Sequence, residues 1–560
     1  MCGIFAIFSC DGKCIETRLH QGSKYTLREL AYRQSGRQRH RGPDSTGVKI
    51  IAEDGVAMVH ERLRIVGVKD GDQPFVSDDG NIVLVANGEI YNYLELSAEI
   101  AKRRPYKPKS DCHIILELYQ EYGIDLLKHI TGMFAFALYD KRTQDILIAR
   151  DPFGIIPMYT GRDLQGNLWV ASEMKCLVEC CKSVESFPPG KAQYGPVQEL
   201  KTWKYFDQPW QHEIPTRKCD LTALRSQLES AVRTHLHCDV HLGALLSGGV
   251  DSSLIASIAT KIMRESDPTY RLKTFSVGLR GAPDFEAARK VAKSIDSDHK
   301  ELIFEIEEAL DGIRDIVYHL ETYDVTTVRC SLPMLFLARY IKSTGIKMIL
   351  SGEGADEIFG GYLYFHKAPS KEEFHWELVK RVHQLHNSDC LRANKVAMAK
   401  GIELRVPFLD TAFVNEVMSI RPEDKIPGKL NEFCGSKTLP NKQLEKYVLR
   451  AAFADDYLPS DVLWRQKEQF SDGVGYEWID TIRQVATDHV TDEEFAQAAQ
   501  KFPYNTPTTK EAYYYREIFE HQFPGESPAK TVVKWVPRLD WGCPEDPSGR
   551  AQAVHQINKD

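Results

Sequence analysis

The stretch Gly243–Ser253, GALLSGGVDSS, constrains this chain more than any other. A short apolar run, Ala244-Leu245-Leu246, stops at Ser247-Gly248-Gly249, and apolar residues resume from Leu254 to Ala259. The pattern reads as a buried strand, a tight glycine turn and the start of a helix. In that geometry backbone N–H groups and a helix dipole converge on an anion. Serine hydroxyls can donate to phosphate oxygens, and Asp251 can hold a magnesium ion beside them. The chain contains no GxxxxGK(S/T), so this is not a phosphate loop of the Walker type. An ordinary strand-to-helix turn rich in glycine and serine is the plainer alternative.

SGGVDSS resembles the pyrophosphate loop of the ATP-pyrophosphatase class of enzymes, which cleave ATP to AMP and pyrophosphate. The surroundings suit it. The helical stripe Leu221, Leu224, Leu228, Val232 and Leu236 leads in, and beyond the loop strand-like and helical segments alternate. Strands are expected at Thr274–Gly278, Glu301–Phe304 and Lys347–Leu350, with helices at Phe285–Ile295, Ala309–Leu320 and Leu332–Lys342. Such alternation predicts a parallel sheet covered by helices, with ligands at the carboxyl ends of the strands. A second apolar strand runs into Ser351-Gly352-Glu353-Gly354-Ala355-Asp356-Glu357. If the two strands neighbour each other, phosphate donors and carboxylates face one site.

The chain's 560 residues allow two to four domains. A formal charge of −8 argues against non-specific binding to nucleic acid or acidic lipid. The basic cluster Arg33–Arg41 is expected to be a solvated helix end. Thirteen scattered cysteines suit reduced thiols in a cytoplasmic protein, and Cys176, Cys180 and Cys181 lack the partners of a zinc pattern. No run approaches the ~20 apolar residues of a membrane helix, and MCGIFAIFSC lacks the basic region of a signal peptide.

That N-terminus has a second meaning. Removal of Met1 would leave Cys2 with a thiol and a free α-amine, so one residue would supply both attacking atom and proton acceptor. The apolar run Ile4–Phe8 would hold Cys2 on a strand. The motifs MCGIF, HRGPD, ERLRIVG, NGEIYN and SDC follow in order and resemble the class II, N-terminal nucleophile, glutamine amidotransferase domain. The resemblance implies that Cys2 attacks the glutamine amide and releases ammonia. It implies that Arg62 grips the substrate carboxylate, with Leu63, Arg64, Ile65 and Val66 as the wall around it. Asn87 and Gly88 would form the oxyanion hole, and Glu89 and Asp111 would receive the substrate ammonium. Each residue also has a bland reading: Arg62 as a surface partner, Asn87-Gly88 as a hairpin dipeptide, Asp111 as a helix cap.

In the second half ETYDVTT (Glu321–Thr327), SGEGADE, GYLYFHKAP (Gly361–Pro369), ELRVPFLD (Glu403–Asp410), WRQKEQFSDGVGY (Trp464–Tyr476) and the C-terminal DPSGRA resemble the glutamine-hydrolysing asparagine synthetase family. The resemblance spans almost the whole chain, with Val250 where leucine is common and Ala355 where serine is common. It implies a ligase that joins glutamine-derived ammonia to aspartate through a β-aspartyl-AMP intermediate, at the expense of ATP and with Mg²⁺. Leu246, Val277, Ser351 and Gly352 would line the ATP site. Ser247, Gly248, Gly249, Asp251, Ser252 and Ser253 would hold pyrophosphate, with Asp251 and Asp356 on the metal. Lys467 would neutralise the α-phosphate, and Glu353 would manage the ammonia proton. Asp324, Arg392 and Arg405 are candidates for aspartate contacts.

The fold expected is an α+β N-terminal domain, antiparallel sheets sandwiched between helices over residues 1–210, then an α/β domain over 211–560. The substrates would be small molecules, glutamine, aspartate and ATP, with no nucleic acid or membrane partner; a homodimer is compatible. Two rival readings are a β-lactam-forming synthetase and a catalytically dead scaffold. The first would not need ammonia, and an intact Cys2, Arg62, Asn87, Gly88 and Asp111 set argues against it. No broken nucleophile or phosphate loop supports the second.

Overall fold

The computed structural model describes residues 1–12, 17–18, 24–427, 444–467, 473–475 and 477–544. The DPSGRA stretch (546–551) and residues 468–472 and 476 of the Trp464–Tyr476 motif lie outside the described residues.

The strand Gly3–Phe8 is buried along its whole length and pairs antiparallel with Leu168–Ala171 on one side and Val56–Arg62 on the other. Burial of both faces explains why it reads as one unbroken apolar run rather than an alternation. It is central in a six-stranded antiparallel sheet with Ser183–Ser186, Tyr159–Arg162 and Ser45–Ile51. A second antiparallel sheet of six runs Lys201–Lys204, Lys191–Gly195, Asp145–Arg150, Gly132–Asp140, Ile82–Ile90, Phe75–Val76. The sheets face each other: the Phe8 and Tyr139 rings lie 6.2 Å apart, and the His60 ring meets Ala86 O at 3.1 Å. The helix Leu27–Gly36, opened by a Thr26/Glu29 capping box, packs on the first sheet, and His113–Tyr122 packs on the second. This is the expected layered sandwich.

One expectation fails locally. Asn87-Gly88 does not turn the chain; the strand continues through it to Ile90, paired residue by residue with Gly132–Asp140. Gly88 sits at φ +143°, and a Cβ there would meet Met133 O at 2.0 Å. The glycine lets a distorted strand stay in its sheet rather than leave it.

A short turn at Pro209–Gln211 leads into the second half, anchored by the buried Trp210, whose indole donates to Asn415 Oδ1 at 3.0 Å. Asp220 caps the helix Leu221–His235, and a five-stranded, wholly parallel sheet follows. Its order is Asp298–Ile303, Lys273–Gly278, Leu242–Leu245, Met348–Leu350, Glu403–Arg405. The chain builds outward from Leu242–Leu245 in one direction and then the other, so the switch point falls between that strand and Met348–Leu350. The edge strand Glu403–Arg405 was not anticipated. Two helices differ from expectation: Ala309–Leu320 is split at Gly312 into Ile306–Asp311 and Ile313–Leu320, and the helix expected at Leu332 begins at Val325, where Asp324 caps it. Among the described residues no helix is long and apolar enough to cross a membrane.

Candidate active sites

Cys2 is 9% exposed at the head of the central strand and is held from three sides. Its N–H donates to Asn87 Oδ1 at 2.6 Å, its carbonyl accepts from Arg41 Nε at 2.8 Å, and its Sγ accepts from the Leu63 N–H at 3.4 Å. Asn87 Nδ2 donates to Ser172 Oγ at 3.3 Å, so Asn87 ties the two sheets together across the nucleophile. Burial pushes the Cys2 thiol up, against the pull of the terminal ammonium. Arg41 is fully buried, which corrects the expectation of a solvated cluster; Arg33 and Arg37 meanwhile share Glu179.

Arg62 ends its strand with its guanidinium on Asp72 Oδ1 (2.7 Å) and Gly67 O (2.6 Å). The loop closes tightly around it, since a Cβ on Gly71 would stand 2.5 Å from Arg62 Nη2. Leu63, Ile65 and Val66 are buried, and the Arg64 N–H donates to Asp44 Oδ2 at 2.8 Å. Asp111 is buried and does not cap the helix that follows. Its Oδ2 reaches back to the Ile90 N–H at 2.8 Å.

Glu89 lies beside Arg405 Nη2 at 2.9 Å, and Arg405 Nε donates to Glu403 Oε1 at 2.7 Å. The terminal ammonium of Met1 pairs with Glu403 Oε2, and Arg405 Nη1 donates to the carbonyls of His235 and His237 at 2.8 and 2.7 Å. Arg405 therefore belongs to the Cys2 side of the molecule and does not reach the cavity where an aspartate contact was expected. Glu403 and Arg405, two apart on one strand, share a face, and that face looks at the N-terminal domain.

The second centre lies at the carboxyl ends of Leu242–Leu245 and Met348–Leu350, in a cavity of about 160 Å³. Leu246, Ser247, Gly249, Asp251, Ser252, Val277, Ser351, Gly352, Glu353, Asp356, Arg392 and Lys467 all line it. Gly248 and Ser253 do not. Gly248 turns the loop at φ +80°, where a Cβ would meet Ala288 N at 2.6 Å, and Ser253 is buried behind the loop. The two loops touch: a Cβ on Gly352 would stand 2.6 Å from Ser252 N. Asp324 is also absent from this lining. Its carboxylate is spent on the Thr327 N–H and hydroxyl and on the Trp535 N–H, at 2.9, 2.8 and 2.7 Å.

Charge in this cavity is arranged around two carboxylates. Lys446 Nζ lies between Asp251 Oδ2 (2.5 Å) and Asp356 Oδ1 (2.7 Å), and Lys467 Nζ donates to Asp356 Oδ2 at 2.6 Å. Burial pushes the Asp356 carboxyl up, but the two ammonium groups prevail and hold it below the usual range. Asp251 goes the other way: burial outweighs Lys446 and raises it. Burial likewise raises Glu353, although Arg392 Nη2 touches both of its oxygens at 2.9 Å. Lys446, Asp389, Tyr362 and Trp535 also line the cavity and were missed in the sequence. None sits at a spacing that marks it.

The centres are joined by buried charge. Arg41 Nη1 meets Glu173 at 3.1 Å; Lys175 pairs with Glu173 and, at 3.2 Å, with Glu321; Lys395 pairs with Glu321. All five side chains are at most 1% exposed. Lys395 belongs to the helix Asp389–Met398, which also presents Arg392 to Glu353, and Arg41 Nη2 bonds Asn394 of that helix at 2.8 Å. A line of contacts thus runs from the Cys2 carbonyl to Glu353.

Comparison with known proteins agrees with this division. A family profile described as a glutamine amidotransferase domain matches residues 1–197, and one described as asparagine synthase matches residues 223–373 and 367–535. The chain is 46% identical to asparagine synthetase B (glutamine-hydrolysing) of Escherichia coli K12, over 99% of both chains. It is 45% identical to asparagine synthetase (glutamine-hydrolysing) 1 of Saccharomyces cerevisiae, again over 99% of both. Against the Zea mays asparagine synthetase (glutamine-hydrolysing) it is 44% identical over 99% of this chain and 94% of the relative.

Proposed function

The chain belongs to the glutamine-hydrolysing asparagine synthetase family, and from that premise we propose how its own residues divide the reaction. The enzyme makes asparagine from aspartate, glutamine, ATP and water, releasing glutamate, AMP and diphosphate. We place the junction of its two catalytic units near residue 210, at the Trp210 anchor, and the protein in the cytoplasm, where its free thiols stay reduced.

Removal of Met1 frees the Cys2 amine, which takes the thiol proton. Burial holds the thiol up, so the adjacent amine is what makes thiolate available near neutrality. The sulfur attacks the glutamine carboxamide, and the negative charge that builds on its oxygen needs fixed donors. Gly88 N–H and Asn87 Nδ2 fill that role. Collapse releases ammonia and leaves a glutamyl thioester on Sγ, which water hydrolyses. Arg62 receives the substrate carboxylate, and Asp111 with Glu89 the ammonium.

In the synthetase cavity the aspartate β-carboxylate attacks the α-phosphate of ATP, and ammonia displaces AMP from the acyl adenylate. Ser247, Gly249 and Ser252 cradle pyrophosphate, and Lys467 meets the charge building on the α-phosphate. Glu353, raised by burial, accepts the proton that attacking ammonia must lose. Arg392 orients Glu353 and is within reach of an aspartate carboxylate. Asp251 and Asp356 would hold Mg²⁺: among the described residues Asp251 Oδ1 is buried with no hydrogen-bond partner, near a second carboxylate and the phosphate donors, and Lys446, which pairs with both carboxylates, would give way to it. Bound there, it would neutralise the leaving pyrophosphate. Ammonia travels within the protein, since water near pH 7 would protonate it to an inert cation.

The observation that carries this reading is the contact of the two loops at Gly352, which gives the phosphate-donor loop, Glu353 and Lys467 one common cavity. The test supplies aspartate, Mg-ATP and amide-¹⁵N glutamine and follows products by mass spectrometry. Labelled asparagine with matching AMP is expected. Glutamate without asparagine would confine the reading to the amidotransferase half.

A further inference from the structure

The glutamine centre borrows a cation from the other half of the chain. Arg405 ends the edge strand Glu403–Arg405 of the parallel sheet, and its carbonyl accepts from the N–H of Ser351, a lining residue of the synthetase cavity, at 2.9 Å. The backbone of Arg405 is thus part of the sheet that builds the second centre. Its side chain is fully buried in the seam between the two catalytic units, against residues of the first.

Every arm of the guanidinium is engaged there. Nη2 lies 2.9 Å from Glu89 Oε2, and Nε donates to Glu403 Oε1 at 2.7 Å. Nη1 donates to the carbonyls of His235 and His237 at 2.8 and 2.7 Å. Both histidines are in turn held across the seam: the Tyr91 ring stacks on His235 with centres 4.1 Å apart, and the Tyr93 hydroxyl meets His237 Nε2 at 2.9 Å. A planar fork fixed at four acceptors has no freedom to turn toward a substrate. Arg405 can act on glutamine only through Glu89.

Glu89 needs such a partner. It is buried two residues after Asn87, and the groups that weigh most on it include two further carboxylates, Glu403 and Asp111. Burial pushes the Glu89 carboxyl well above the usual range, and Arg405 is the strongest force against that. Asp111 has neutral partners instead, the Ile90 N–H at 2.8 Å and the Cys112 thiol at 3.3 Å. A buried carboxylate receives an ammonium well only when it is ionised and aimed.

We propose that Arg405 is a positioning residue of the glutamine site, supplied by the synthetase half: it holds the Glu89 carboxylate in place for the substrate's α-ammonium and so sets the preference for an amide that carries an α-amine. The proposal rests on the reading that Glu89 receives that ammonium. It makes the glutamine site complete only when the two catalytic units are docked.

The test compares glutamine with glutaramate, the same amide without its α-amine, on the full-length enzyme, following ammonia release without ATP. The parent is expected to favour glutamine by about 10²-fold or more in kcat/KM, because glutaramate leaves Glu89 unpaired. Arg405→Met should reduce that preference by about tenfold or more, chiefly through KM for glutamine. Arg405→Lys should reduce it by about threefold, since an ammonium keeps the charge but cannot span four acceptors; this variant carries the test should the first fail to fold. Glu89→Gln should cost about tenfold or more of the preference, and adding Arg405→Met should cost no more, because one residue acts through the other. A merely structural role would slow both substrates alike. An unchanged preference in the Arg405 variants, or losses that add in the double variant, would overturn the proposal. An unchanged preference in Glu89→Gln would overturn the assignment of the ammonium to Glu89 and the proposal with it, so the two failures are told apart.

Discussion

Around Cys2 the ionic groups pair within the protein: Glu403 with Arg405 and Arg405 with Glu89, while the Met1 ammonium on Glu403 is replaced by the Cys2 amine in the proposed active form. In the synthetase cavity two lysines hold Asp251 and Asp356, and in the proposed reaction the same groups would rearrange around phosphate and metal. The first centre is built inside antiparallel sheets, where backbone pairing fixes Asn87 and Gly88 and the Leu63 N–H already meets Cys2 Sγ. The second is built from loops at a switch point, where side chains and ligand complete each other. Preorganised donors cost nothing to reorganise during reaction, whereas a lysine-held carboxylate pair must exchange partners before it can serve a ligand.

The sharpest way to separate the two is to remove the nucleophile. Cys2→Ala should abolish glutamine-dependent synthesis, by about 10³-fold or more, and leave asparagine formation from free ammonia within twofold or so of the parent. Loss of both activities would mean that the centres are not independent machines. The reverse test is Lys467→Met, which removes one of the two cations on Asp356 and, in the proposed chemistry, the one on the α-phosphate. It should lower synthesis from either nitrogen source by about 10²–10³-fold and spare glutaminase, measured as glutamate released without ATP.

The same contrast explains what could be read from the chain alone. Motifs at the Cys2 centre are contiguous because strands deliver their residues in sequence order, so ERLRIVG and NGEIYN mark its walls directly. The parallel sheet and both of its glycine loops were equally plain, since each loop follows an apolar strand. Charge pairing was not legible. Lys446 reaches Asp251 across 195 residues and Lys395 reaches Glu321 across 74, and no spacing announces either. Arg405 shows the opposite failure: it sits in a motif of the synthetase half, yet its strand faces the N-terminal domain. Asn87-Gly88 has the composition of a hairpin turn, yet pairing with Gly132–Asp140 keeps it in the sheet, where Met133 O leaves no room for a Cβ at Gly88.

The buried line between the centres predicts a smaller, structural effect. Lys395→Met leaves Glu321 without its nearest cation at a fully buried position, so stability should fall by about 3–5 kcal/mol. Adding Glu321→Gln should recover part of that loss, because the unpaired charge is then gone. Chemical denaturation of the two variants measures it. If Lys395→Met alone were as stable as the parent, the line would be no more than a set of incidental contacts. With the double variant, the ratio of glutamate to asparagine formed should also rise above that of the parent.

The mildest change tests the direction of a proton. Glu353 stands above the usual carboxylate range because burial outweighs Arg392, and in the proposed role only its ionised form accepts a proton from ammonia. Synthesis at a fixed concentration of uncharged ammonia should therefore rise with pH through an acid limb set by Glu353. Arg392→Gln removes the cation that opposes burial, so the limb should move to higher pH, and below it the rate should fall about tenfold for each further pH unit. Arg392→Lys, which keeps the charge, should move it less. Because Arg392 also stands within reach of substrate, KM for aspartate is measured in parallel. A changed KM with an unmoved limb would assign Arg392 to the substrate and take the proton away from Glu353. A moved limb would place the pH dependence on the Glu353–Arg392 pair.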